Sequence, residues 1–197
     1  MSINYSDLLN EMISNLFESK FLELGFKRSK NTFSRNVNGI RQVCQIQKSR
    51  SNSSMFVSFT IGVGVNHPDF AKSQGTMLKF DPLLISIPMA NLVEKALQKK
   101  TYLNWYRMGD IPGFAPYGGL SEDTFDLEDP FTRYDRIWKD PNKLAYIINQ
   151  DINLCIIPFF ESTDTEAKVV KFVEANQYYD FLSELGRLFI DEKSDIQ

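Results

Sequence analysis

The sequence predicts an α+β domain: a four- or five-stranded, mainly antiparallel sheet packed against an N-terminal helix and C-terminal helices. Three observations carry this. Met55, Val57, Phe59, Ile61, Val63 and Val65 take every odd position of one run, with Ser58, Thr60, Gly62 and Gly64 between them. A strict period of two marks a β-strand with one face on a core. Asn38-Gly39 separates two strand-like runs and is a strong signal for a two-residue hairpin. Leu8, Leu9, Met12, Ile13, Leu16, Phe17, Phe21 and Leu24 recur at helical spacing ahead of the strands.

The elements follow in order. A helix is expected over 5–24, capped by Asn4 or Ser6, with Asp7 in its first turn and Gly25 just past its end. Strands are expected over 30–37, 40–50 and 55–66, with a polar turn at 51–54. Residues 67–82 read as a loop and 88–100 as a short helix. A fourth strand is expected over 101–111, a loop over 112–120 and a short fifth strand over 124–127. Asp140 and Pro141 should open a helix toward Ile157 that Pro158 ends or kinks. Helices over 164–175 and 178–190 complete the chain. We expect one domain over 1–197. It comprises a helix and meander (1–66), a loop-rich middle with further strands (67–139) and a helical part (140–197).

Composition narrows the class. Hydrophobic residues make up 43% and charged residues 24%, ordinary for a globular chain. The first residues do not read as a signal peptide, and no apolar run approaches a membrane span, so a cytoplasmic location is expected. Cys44 and Cys155 sit among apolar neighbours and read as buried thiols; no Cys-x-x-Cys spacing exists. The net charge of −3 hides a division. Residues 20–50 hold eight Lys/Arg against one acid, and residues 110–197 hold eighteen acids against eight bases. Such segregation suits a charged protein partner or head-to-tail self-association, and equally suits faces that neutralise each other within the fold.

Catalytic motifs are hard to find. His67 is the single histidine, which excludes a multi-histidine metal site. No Gly-x-Ser-x-Gly elbow or Gly-Lys-Ser/Thr phosphate loop occurs. Gly62-Val63-Gly64 lacks the third glycine of a dinucleotide fingerprint and lies inside a strand. The acids at 122, 123, 126, 128 and 129 lack the glycine and spacing of a calcium loop. No cofactor and no metal is therefore expected.

The candidate binding residues are Arg35, Gln47, Lys48, Ser49, Arg107, Phe114 and Tyr117. Arg35 and Arg107, with Gln47, Lys48 and Ser49, would frame an anion or a partner's carboxylate if they converge; a structural ion pair for Arg35 is the competing account. Phe114 and Tyr117 stand on a glycine-bounded loop suited to partner recognition or to packing on the sheet. The basic strands with Phe33 and Phe56 offer cations and rings to single-stranded nucleic acid. The acidic balance and missing aromatic pattern weigh against that use.

The succession Gly25-Phe26-Lys27, Thr32-Phe33-x-Arg35, Gln47-Lys48-Ser49, Gly62-Val63-Gly64, Trp105-Tyr106-Arg107-Met108-Gly109 and Ile157-Pro158-Phe159-Phe160-Glu161 resembles an uncharacterised bacterial family, domain-of-unknown-function family 4304. The resemblance implies a fold and no established activity. We expect a non-enzymatic, cytoplasmic protein-binding module, an accessory or immunity-type protein being one form. The alternative is an enzyme or small-ligand binder with a pocket lined by Arg35, Gln47, Lys48 and Arg107; nucleic-acid binding stands third.

Overall fold

A computed structural model describes residues 3–75, 83–98, 105–109 and 137–194. Asn4 caps α1 (Tyr5–Met12), its Oδ1 accepting from the Ser6 and Asp7 N–H groups. A π segment, Ile13–Glu18, then leads into α2 (Ser19–Glu23). The expected single helix thus changes its winding partway. Buried Ile13, Phe17 and Phe21 are four residues apart, more than the roughly 3.6 of an α turn, and a wider turn keeps them on one line. Gly25 ends the helix at φ +81°, as expected.

An antiparallel meander follows: β1 (Lys27–Ser29), β2 (Thr32–Val37), β3 (Ile40–Lys48) and β4 (Phe56–Asn66). Asn38 (φ 48°) and Gly39 (φ 82°) form the expected hairpin turn. β5 (Ile85–Pro88) and β6 (Tyr106–Gly109) share the far edge of β4, pairing antiparallel with 62–65 and 56–59. β7 (Ile137–Trp138) lies parallel to β6. The described residues therefore form a seven-stranded, mostly antiparallel sheet, more than the four or five strands expected. The additions are short. β1 has three residues, β5 four and β7 two, too few for alternation to show in sequence.

The helices depart from expectation in instructive ways. Residues 68–73, expected as loop, form α3 (Pro68–Ser73), with Pro68 in its first turn and His67 as its cap. The predicted 88–100 helix is α4 (Met89–Leu97). Asp140 caps α5 (Pro141–Asp151) as expected. Pro158 does not end that helix. A π segment, Ile152–Ile156, precedes it, the Ile157 N–H reaches back to Ile152 O, and the chain continues as α6 (Ile157–Glu161). The wider turn accommodates a ring that an α turn would clash with. α7 (Glu166–Asn176) is capped by Thr165; a 3₁₀ turn, Tyr178–Phe181, precedes α8 (Glu184–Ser194). The expected last helix is broken there because Leu182 is extended and bridges to Ile85. The fifth strand expected at 124–127 lies outside the described residues.

Cross-strand register sorts the sheet into two faces. Phe33, Cys44 and Val63 share one row with Ile87, and Phe59 lies opposite Tyr106. This face is buried under the helices. The other face carries Ser34, Val43, Gln45, Gln47, Thr60 and Arg107, with Gln45 and Gln47 exposed. An aromatic cluster joins the layers. Phe21 packs 5.1 Å from both Phe26 and Phe33, and Phe26 lies 4.9 Å from Phe160 of α6.

α8 approaches β5 where only glycine fits. A Cβ on Gly186 would stand 2.0 Å from Leu84 O, the carbonyl that also accepts from the Ser183 N–H at 3.0 Å. Gly186→Ala should lower stability by about 1–3 kcal/mol. Leu188→Ala, on an exposed position of the same helix, should change it by less than about 0.5 kcal/mol. Thermal unfolding of both variants checks this; equal melting temperatures would contradict the close approach.

Candidate functional site

Among the described residues, those singled out in sequence do not meet in one pocket. Arg35 lies on the helix-covered face, in the row Arg35–Gln42–Val65. Its Nε donates to Gln42 Oε1 (2.8 Å), its Nη1 donates to Leu24 O (2.5 Å), and the guanidinium sits 4.7 Å over the Phe26 ring. Burial pulls its pKa below the ordinary value, while Asp164 and Glu161 work against that pull. Gln42 in turn donates to Phe160 O (2.5 Å) beside Thr163, whose hydroxyl donates to Phe159 O (2.8 Å). Arg35 therefore serves the structural network that ties β2 and β3 to the end of α6.

Arg107 faces the other way. It pairs with Ser58 on the open face, seven residues along β4 from the Arg35 row, roughly 23 Å at strand spacing. Gln47, opposite Thr60, shares that open face. Lys48, opposite Phe59, is on the helix side and donates to Asn10 Oδ1 (2.5 Å); burial first, then Arg28, lowers its pKa. Ser49 holds the following turn, its N–H donating to Ser58 O (2.9 Å) and its Oγ accepting from Ser51 N–H. A pocket lined jointly by Arg35, Gln47, Lys48 and Arg107 is thus not formed. Phe33 is fully buried and offers no ring for base stacking. Phe114, Tyr117 and the acids at 122–129 lie outside the described residues.

His67 is more engaged than its loop position suggested. Its Nδ1 accepts from the Phe70 N–H (3.1 Å), so the proton sits on Nε2, which donates to Glu166 Oε1 (2.6 Å). Lys193 Nζ lies 2.9 Å from Glu166 Oε2. The Lys193 hydrogen bond holds the Glu166 carboxyl below its usual range, with His67 adding to it. These contacts join α3, α7 and α8. Elsewhere, the Tyr106 hydroxyl donates to Asp151 Oδ2 (2.6 Å), both residues being fully buried. Cys44 and Cys155 are free and buried, and burial pushes the Cys44 thiol far up. Among the described residues no group of His, Cys, Asp and Glu is arranged to hold a metal.

A cleft lies elsewhere, between the C-terminal ends of α4 and α7. It has a volume of about 440 Å³. Asn91, Glu94, Lys95 and Gln98 line one side; Asn176, Gln177, Tyr178 and Phe181 line the other. Gln98 (φ 54°) and Gln177 (φ 55°) end their helices in the left-handed conformation, which asparagine and glycine more often supply. Tyr178 is buried between Phe172 and Phe181, with ring centroids 5.5 Å away on both sides. Its phenol is pushed up to about 12 by burial first, then by Cys155 and Glu94. The lining combines two aromatic rings, four side-chain amides, one carboxylate and one ammonium.

Residues 17–97 match the family model described as Domain of unknown function (DUF4304). This segment belongs to that family. The match takes in Gly25-Phe26-Lys27, Arg35, Gln47-Lys48-Ser49 and Gly62-Val63-Gly64, and stops before Trp105–Gly109 and Ile157–Glu161. No curated protein and no solved structure matches the chain. The DUF4304 segment supplies one wall of the cleft, Asn91, Glu94 and Lys95; the other wall comes from beyond it. No cleft residue was among the sequence candidates. The only hint was the polar pair Asn176-Gln177 between two helical patterns.

Two outcomes follow from these networks. Gln42→Ala strips Phe160 O of its buried donor and should cost about 1–3 kcal/mol, read from denaturant unfolding; no loss would dissolve the proposed tie. Glu166 has a depressed folded pKa, so its stabilising effect is present above the ordinary carboxylate range and lost as pH falls through the folded value. Glu166→Gln should flatten that part of the acid limb of a stability–pH profile. An unchanged acid limb would contradict the pairing with Lys193 and His67.

Proposed function

We propose that the protein is a non-enzymatic protein-binding module whose recognition site is the cleft between α4 and α7. One observation carries the reading. Asn91, Gln98, Asn176 and Gln177 line the cleft with Tyr178 and Phe181; the Asn91 and Asn176 amides already donate to Glu94 Oε2 (3.5 Å) and Phe172 O (2.9 Å), and Gln98 and Gln177 are exposed. An amide both donates and accepts, so this lining complements a peptide backbone, while the rings supply rigid apolar contact area. An accessory or immunity-type protein that neutralises its partner is one form this function takes.

A small-ligand reading is favoured by a single fact, the cleft volume of about 440 Å³, which lies within the range of ligand pockets. The two are separable. A photo-crosslinking residue placed at Gln98 or Gln177, both exposed, should trap a discrete protein in the host, and Asn176→Arg should abolish the adduct while leaving the melting temperature near that of the parent. Crosslinks that are diffuse, or that persist in Asn176→Arg, would overturn the protein-binding assignment. Thermal stabilisation by a small molecule in place of any adduct would establish the ligand reading.

A further inference from the structure

We propose that the open face of the sheet binds single-stranded nucleic acid, on a surface separate from the cleft. The argument begins with charge. Between Glu23 and Asp69 the chain holds seven Lys/Arg and no Asp or Glu, and none of the seven described strands contains an acid. The net charge of −3 is therefore carried by other parts of the chain. Three of those bases are taken up on the helix-covered side: Arg28 pairs with Glu18, Arg35 with Gln42 and Lys48 with Asn10. Lys27, opposite Ser34, turns to the open face, as do Arg41, opposite Asn36, and Arg107, opposite Ser58. Arg50, exposed in the turn after β3, adds charge beside Ser49, whose N–H donates to Ser58 O. Among the described residues Lys27, Arg50 and Arg107 form no ion pair.

Rings and amides occupy the same face. Phe56 is partly exposed and lies opposite Gly109, where a Cβ would stand 3.1 Å from Phe56 Cδ2. The missing side chain leaves the Phe56 ring room over β6. Trp105 directly precedes buried Tyr106, so alternation turns it to the open side, and it too is partly exposed. Arg107 stands between the two rings. It is next but one to Trp105 and a diagonal neighbour of Phe56, about 7–8 Å across the strand pair. Exposed Gln45 and Gln47, with Thr60, supply donors and acceptors on the adjoining strands. Toward Gly64 the face closes: a Cβ there would meet Leu83 Cδ1 at 2.9 Å, and Asn66 is fully buried. The open part thus offers rings for stacking, a guanidinium for phosphate and polar side chains for base edges. No carboxylate in the strands repels the backbone. An acidic peptide would use the cations alone; the rings beside Arg107 favour bases.

The probe is an end-labelled oligouridylate, titrated with the full chain at low salt and read by fluorescence anisotropy and by tryptophan emission. The chain has two tryptophans and Trp138 is 2% exposed, so quenching reports on Trp105. Binding should quench that emission, and affinity should fall steeply with added salt. Arg107→Gln, and Gln47→Glu, which sets a carboxylate on the exposed face, should each weaken binding about tenfold. Lys171→Gln, exposed on α7, should leave affinity unchanged. Because Gln47 is exposed, its variant should keep the melting temperature of the parent. No binding at low salt would overturn the inference, and so would binding that ignores both Arg107→Gln and Gln47→Glu. A polyglutamate peptide that binds the same face as tightly, without quenching Trp105, would replace nucleic acid by an acidic protein segment.

Discussion

The architecture depends on how closely other strands can approach β4. It is the longest strand, eleven residues, and three partners read it: β3 along most of one edge, β5 and β6 in succession along the other. One glycine on β4 and one on β6 decide whether that second edge can be shared. A Cβ on Gly64 would come 2.5 Å from Ile85 O, and the equivalent position on Gly109 of β6 would come 2.7 Å from Met55 O. With side chains there, β5 and β6 would be pushed off and the sheet would stop at four strands. α4 follows β5 directly, so the glycine at 64 also sets where one wall of the cleft stands.

The polar interior serves the same end. Arg35, Gln42 and Thr163 form a chain of donors running from Leu24 O to Phe160 O. The Gln42 link to Phe160 bridges elements 118 residues apart, and each link satisfies a group that burial would otherwise penalise. The His67–Glu166–Lys193 chain does this between α3, α7 and α8. Both chains join the DUF4304 segment to the helices that follow it. The position of Gln177 opposite Gln98 is thereby fixed from two sides.

Much of the fold was legible in the sequence, for identifiable reasons. The 55–66 alternation, Asn38-Gly39, Gly25 and Asp140-Pro141 are local signals whose cause lies within a few residues, and each appears where expected. What escaped is what depends on distant contacts. β5 and β7 exist because β4 and β6 offer them an edge, not because Ile85–Pro88 or Ile137–Trp138 prefer extension. The π segments answer to packing of Phe17 and to the ring of Pro158. The site was less legible still. Arg35 and Arg107 looked alike as strand arginines, yet strand register sends them to opposite faces, and the cleft joins residues about eighty apart in sequence.

The reach of the Gln42–Phe160 bond, 118 residues along the chain, has a bearing on how the protein is made. During synthesis the meander emerges long before the helix that completes its core. Until α6 arrives, Phe26 lacks its Phe160 neighbour and the Gln42 amide N–H lacks the carbonyl it donates to; the far edge of β4 stays open until β5 and β6 emerge. Loop closure over such distances is slow, and an unfinished sheet edge is prone to pair with a neighbouring chain. Three-residue β1, with Lys27 and an arginine on a short outer strand, blunts the other edge. The nascent chain therefore carries its protection on the side that is finished first, and is most exposed to misassembly in the interval before its last third leaves the ribosome.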